Sequence, residues 1–257
     1  MAEPDCAFCA ANRKSCKSCG KHVCPKHVCS ANGCCGRCLA FNQQNATDGR
    51  CTTQEEDNQL AAAGGPEAGI YGEMTTVGFR SLARRLELGV HDTYVDLGSG
   101  LGRTVLQAAG EFDVARAVGI ELAGSRHELA QAALRQQPSL VERVTLVQAD
   151  CAASDLWEGD GACASATVCF AASLFFGETL MERLKTRVEA CEACRAVATL
   201  KRWEQPPRGF AEQEPPEVCE TSWTAPVRVR GDGQRADEEQ RADSCESGCP
   251  VHVYVRG

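Results

Sequence analysis

Hydrophobic and polar positions change period several times along this chain. Thr93-Tyr94-Val95 is a run of strand type that ends in Asp96 and Leu97, and Arg103 to Ala109 then reads as a helix. Ala117-Val118-Gly119-Ile120 is a second apolar run and ends in Glu121. Val144 to Gln148 is a third, followed by Ala149-Asp150, and Ala166 to Phe170 is a short buried strand. Arg195–Lys201 is another, and Glu220–Thr224 with Val251–Val255 are predicted to close the sheet as an antiparallel pair. Between the strands lie helical patterns. Phe79, Leu82 and Leu86 form one apolar face, capped by Thr75 or Thr76. Ser125 to Gln137 turns Leu129 and Ala133 inward, with Pro138 beyond its end, and Glu178 to Val188 forms a further helix.

Chemistry concentrates at the turn Gly98-Ser99-Gly100-Leu101-Gly102. A strand, a glycine-rich turn and a helix start make a nucleotide-type pocket at the carboxyl end of the strand. The spacing is G-x-G-x-G, and Arg103 stands where a dinucleotide turn would have its third glycine. No lysine follows, which excludes a phosphate-gripping loop. Asp96 suits a ligand that carries positive charge, and Glu121 can accept from both hydroxyls of a ribose. This set resembles the S-adenosylmethionine site of class I methyltransferases. The resemblance implies an α/β fold, with helices on both faces of a Rossmann-like sheet, and a cofactor held by Asp96, Gly98, Gly100, Gly102, Arg103 and Glu121.

The 257 residues, 43% of them hydrophobic, suit one medium domain and a small one. No apolar run is long enough to span a bilayer, and the N-terminus lacks a signal peptide's apolar stretch. An intracellular, reduced setting is therefore expected, in which 18 cysteines do not form a disulfide framework. Nine of them fall between Cys6 and Cys38; seven of these and His27 pair as Cys6/Cys9, Cys16/Cys19, Cys24/His27 and Cys35/Cys38, which leaves Cys29, Cys34 and His22 as spares or substitutes. Four ligand pairs suffice for two tetrahedral zincs, and metal binding would supply the folding energy of so short a segment. The run Arg13 to His27 resembles FYVE-type fingers, which pair ligands crosswise. That resemblance implies Cys6, Cys9, Cys24 and His27 on one zinc and Cys16, Cys19, Cys35 and Cys38 on the other. Ser15 occupies part of the place of the family's paired histidine, and its tryptophan motif is missing. A finger that docks protein rather than lipid is expected. Residues 1–40 thus form the finger, 41–69 a flexible linker rich in Asn, Gln, Ala and Gly, and 70–257 the catalytic domain.

A narrower resemblance rests on Tyr71-Gly72-Glu73 ahead of the glycine turn, on Val105-Leu106-Gln107 after it, and on Ser222-Trp223. These residues look like the disruptor-of-telomeric-silencing family, the histone lysine methyltransferases that lack a SET domain. The resemblance implies that Tyr71, Gly72, Glu73 and Met74 close over the cofactor and that Asp150 and Cys151 meet its adenine side. It also places the methyl acceptor at Ala171 to Gly177, with Tyr71, Ser173, Phe175 and Phe176 as candidate catalytic residues. Ser173 stands where the family has asparagine. Phe175 and Phe176 can form an apolar slot favouring a neutral lysine, whose solution pKa is about 10.4. Cys191, Cys194, Cys245 and Cys249 are expected to be thiols, and Gly231–Cys249 a solvated loop.

Charge supports a protein substrate. Residues 1–40 carry six Lys/Arg and two Asp/Glu, a net of +4, and the remainder nets −12 of the total −8. An acidic body draws a basic partner such as a histone or nucleosome and does not suit a nucleic-acid cradle. The expected activity is S-adenosylmethionine-dependent lysine methylation, with an H3 core lysine as leading substrate and the nucleus as setting (the cytoplasm as alternative). Methylation of RNA, a small molecule or a non-histone protein, and a non-catalytic cofactor-binding adaptor, are the alternatives.

Overall fold

A computed structural model describes residues 14–15, 22–23, 49, 51–224 and 248–257. The chain divides into two compact units, Met1–Thr47 and Asp48–Gly257. In the first, Lys14–Ser15 pairs antiparallel with His22–Val23. The eight expected zinc ligands lie outside the described residues, as does Cys245. In the second unit no described helix is long and apolar enough to cross a membrane.

The second unit is built on a seven-stranded sheet. Its strands are β1 (Thr93–Leu97), β2 (Arg116–Glu121), β3 (Val144–Gln148), β4 (Val168–Ala171), β5 (Ala196–Thr199), β6 (Phe210–Cys219) and β7 (Cys249–Arg256). Their order is β3-β2-β1-β4-β5-β7-β6. The five strands β1 to β5 run parallel, and β7 is antiparallel to both of its neighbours. That order and orientation form the class I methyltransferase sheet. β1 and β4 are buried almost throughout, which explains their continuous apolar sequence.

Helices α1 (Gln54–Gly64), α2 (Thr76–Arg85), α3 (Arg103–Glu111), α4 (Gly124–Arg135) and α5 (Glu178–Ala190) surround the sheet. Thr75 caps α2 by accepting from the Gly78 N–H at 3.1 Å. The fully buried Phe79 of α2 meets the Tyr94 ring edge-on at 5.4 Å, which fixes α2 against β1. Cys191 and Cys194 at the end of α5 carry free, buried thiols.

Two expectations fail here. Residues 54–64 are not linker but α1, opened by a reciprocal capping box between Thr53 and Glu56. Both oxygens of the Glu56 carboxylate also reach Ser125, from its N–H at 2.7 Å and its hydroxyl at 2.9 Å. The N-cap of α4, Ala123, has no side-chain acceptor, so Glu56 caps α4 from another helix. The second failure is the closing strand. β7 pairs with Phe210–Cys219 rather than with Glu220–Thr224. The register shifts between Gln213 and Glu217, where Pro215 and Pro216 cannot donate to a ladder. Of the expected loop at 231–249, residues 231–247 lie outside the described residues, and Cys249 opens β7.

The Glu56 contacts have a pH signature. Backbone N–H groups of Thr53 and Ser125 hold its carboxyl near pKa 2. A depressed carboxylate stabilises the fold fully above its unfolded pKa of about 4.3, and this is lost as pH falls towards 2. Glu56→Gln is expected to cost about 1 kcal/mol at pH 7. Thermal melts from pH 7 to 2.5 should show the gap between variant and parent closing below about pH 4. A gap that stays constant over that range would rule the cap out.

Candidate functional site

The carboxyl ends of β1, β2 and β4 open into one cleft of about 870 Å³, continuous with solvent. Its floor is the glycine turn. Gly98, Gly100 and Gly102 have φ of 92°, 53° and 73°, which only glycine adopts freely. A Cβ on Gly98 would lie 3.0 Å from the Phe176 ring, and one on Gly100 would lie 3.0 Å from the Tyr71 ring. Both positions line the cleft with backbone alone. Gly102 does something else. It starts α3, and a Cβ there would lie 3.3 Å from that of Ala130 on α4, so it serves helix packing and is not on the cleft.

Two acids stand at neighbouring strand ends. Glu121 accepts from the Gly100 N–H and the Ala123 N–H, each at 2.8 Å. One oxygen serves each bond, which leaves acceptor capacity on both. Asp96 is buried, and its Oδ2 accepts from the Thr104 hydroxyl. Its Oδ1 is buried without a hydrogen-bond partner. Burial raises the Asp96 pKa to about 7, with the Glu121 and Glu73 charges adding to it and the Thr104 hydrogen bond opposing it. Asp150 accepts from the Ala152 N–H at 2.9 Å and pairs with Arg183 at 2.8 Å. Burial pushes the Cys151 thiol well up, so it borders the cleft uncharged.

Tyr71 to Met74 forms the roof. The Tyr71 hydroxyl donates to Glu73, whose other oxygen pairs with Arg103 at 2.6 Å. The roof is fastened to the segment after β6. The Glu73 N–H donates to the Ser222 hydroxyl at 3.1 Å, and the Ser222 N–H donates to the Glu73 carbonyl at 2.8 Å. Met74 bridges to Thr221, and a Cβ on Gly72 would lie 2.2 Å from the Trp223 ring. The two motifs noted separately in the sequence are thus one structure.

The acceptor loop divides. Phe176 lines the cleft, whereas Ser173 and Phe175 do not. The buried Ser173 hydroxyl accepts from the Lys201 N–H at 3.1 Å. The Lys201 ammonium donates to the Phe176 carbonyl at 2.9 Å and pairs with Glu178 at 2.6 Å. Ser173 thus joins Lys201 in shaping the loop. Sequence reasoning also missed a whole wall of the cleft, made by Leu60, Ala63 and Gly64 of α1 and by Leu180 of α5. The capping box Thr53-Gln54-Glu55-Glu56 was the available signal.

These residues fit S-adenosylmethionine. The unpartnered Asp96 oxygen suits the amine of its methionyl part, Glu121 suits the ribose diol, and the glycine backbone admits close approach. Among the described residues no group of three or more His, Cys, Asp or Glu is arranged for a metal.

The chain is similar to several known proteins. The H3 lysine-79 specific histone-lysine N-methyltransferase of Drosophila melanogaster is 36% identical over 62 residues, covering 24% of this chain. The match spans only 3% of that relative's length. The methyltransferase domain of bacterial CtHen1 is 12% identical, covers 70% of this chain and 96% of that one, and gives a TM-score of 0.47. An RNA methyltransferase of Salinibacter ruber with bound S-adenosylhomocysteine is 21% identical and gives 0.40, with 68% and 86% covered. The family described as histone methylation protein DOT1 matches residues 56–214, more than half of the sequence. The match runs from α1 through the cleft to β6, and the chain belongs to the DOT1 histone methylation family.

Proposed function

We propose that the second unit transfers a methyl group from S-adenosylmethionine to a lysine side chain of a basic protein, with a histone as leading substrate. The observation that carries this reading is a buried, unpartnered Asp96 oxygen beside Glu121, under a roof fastened from two sides. The cofactor supplies an electrophilic methyl on a sulfonium. The protein supplies position. Asp96 holds the amine, Glu121 the ribose, and Asp150 with Cys151 the adenine side. Tyr71, Gly72, Glu73 and Met74 cover the site with Arg103 behind them. Phe176 gives the acceptor an apolar neighbour, which favours the neutral, nucleophilic amine. Ser173, whose hydroxyl accepts from the Lys201 N–H, shapes the loop, and Phe175 stands beside Phe176 in it.

Residues 1–40 are proposed as a two-zinc finger that docks protein on the same assembly, in the nucleus. Metal analysis of the whole chain should then give two zincs per molecule, and none would end the finger reading. Calorimetry should show S-adenosylhomocysteine binding that Gly100→Arg abolishes, since the new side chain enters the cofactor's space. Absence of binding by the parent protein would remove the enzyme reading altogether.

A further inference from the structure

Arg126 lies in the first turn of α4 and is only 4% exposed. No described carboxylate pairs with it. Its partners are the Gly49 carbonyl, reached by Nε at 2.8 Å, and the Gly69 carbonyl, reached by Nη2 at 2.8 Å. Its guanidinium also stacks over the Tyr71 ring, 4.8 Å from the centroid. A buried cation is costly unless it is partnered, and among the described residues two carbonyls and a ring face hold this one. The two carbonyls stand before and after α1, so one side chain fastens both ends of that excursion.

Gly49 supplies the second, independent observation. It is buried, and a Cβ there would lie 2.0 to 2.3 Å from three carbons of the Tyr71 ring. Gly49 thus lies against the ring at a distance only glycine allows. The same ring faces Gly100 at the floor of the cleft. Gly49, Tyr71 and Gly100 therefore stack outward from the cofactor's place, and Tyr71 cannot swing out past Gly49.

We propose that residue 49 is a strap across the cofactor lid and that Arg126 is the positioning residue that fastens it. This rests on the cofactor reading given above. Release of the cofactor product then waits for the strap to lift, as lid opening limits turnover in many enzymes. The test uses the full chain and labelled S-adenosylhomocysteine, with association and dissociation followed separately. Gly49→Ala, which must displace the ring, and Arg126→Lys, which loses the planar face and one of two diverging donors, should each speed dissociation about tenfold. Association should stay within about threefold. In a Tyr71→Ala background both effects should shrink below about twofold, because the strap then has nothing to hold.

Dissociation at the parent rate in both variants would overturn the strap, as would full effects that persist without the Tyr71 ring. Should Arg126→Lys fail to fold, Gly49→Ala alone decides. A parent protein that binds no cofactor would sink the cofactor reading and the strap together. A parent that binds, with variants that behave like it, would sink the strap alone.

Discussion

Glu121→Ala is expected to weaken S-adenosylhomocysteine binding by more than about 100-fold, since it removes two hydrogen bonds to a charged group that contribute roughly 1.5–3 kcal/mol each. The substitution removes two acceptors meant for the ribose diol. It also orphans the N–H groups of Gly100 and Ala123, which the carboxylate now satisfies at 2.8 Å. The turn would lose its register as well as its ligand contact. Glu121→Gln keeps one oxygen acceptor and should lose only about tenfold. Calorimetry on both variants checks this, and binding by Glu121→Ala within threefold of the parent would contradict the ribose assignment.

Cofactor affinity should also depend steeply on pH through Asp96. Its carboxyl has a pKa of about 7 in the unliganded protein, chiefly because burial disfavours its charge. Only the carboxylate pairs with a cationic amine, so affinity should fall about tenfold per pH unit below 7 and level off above. Stability takes the opposite sign. A carboxyl whose folded pKa is raised favours the fold most below its unfolded pKa of about 3.9, and that advantage is lost as pH rises to 7. The cofactor's amine then repairs what burial costs. Asp96→Asn should flatten both profiles and weaken binding at pH 8 by more than tenfold. Titrations at pH 6, 7 and 8 check this, and an affinity independent of pH in the parent would refute the pairing.

What could be read from the sequence follows from the range of each constraint. The turn at Gly98 to Gly102 was legible because local backbone geometry demands glycine there. Asp96 and Glu121 were legible because each closes an apolar run at the carboxyl end of a strand, Asp96 one residue before the end of β1. α1 was not, because its apolar face is little more than Leu60 and alanines and its anchor is the polar Glu56. β6 was missed for a similar reason. It is an edge strand bearing Glu212, Glu214, Pro215, Pro216 and Glu217, and a half-exposed edge needs no apolar run. The union of Tyr71-Gly72-Glu73 with Ser222-Trp223 joins positions 149 residues apart and belongs to tertiary structure alone. Gly102 packs against Ala130 and Ser173 accepts from the Lys201 N–H, contacts between distant positions that no local pattern announces.

The central claim is methyl transfer to protein lysine, and labelled cofactor tests it most directly. The purified full chain is incubated with methyl-labelled S-adenosylmethionine and, separately, with nucleosomes, free histones, total cell protein and total RNA. The account predicts label on lysine in histones or nucleosomes, lost with Gly100→Arg. Label on another protein would keep the chemistry and discard the substrate. Label in RNA alone, or none anywhere despite bound cofactor, would contradict the account.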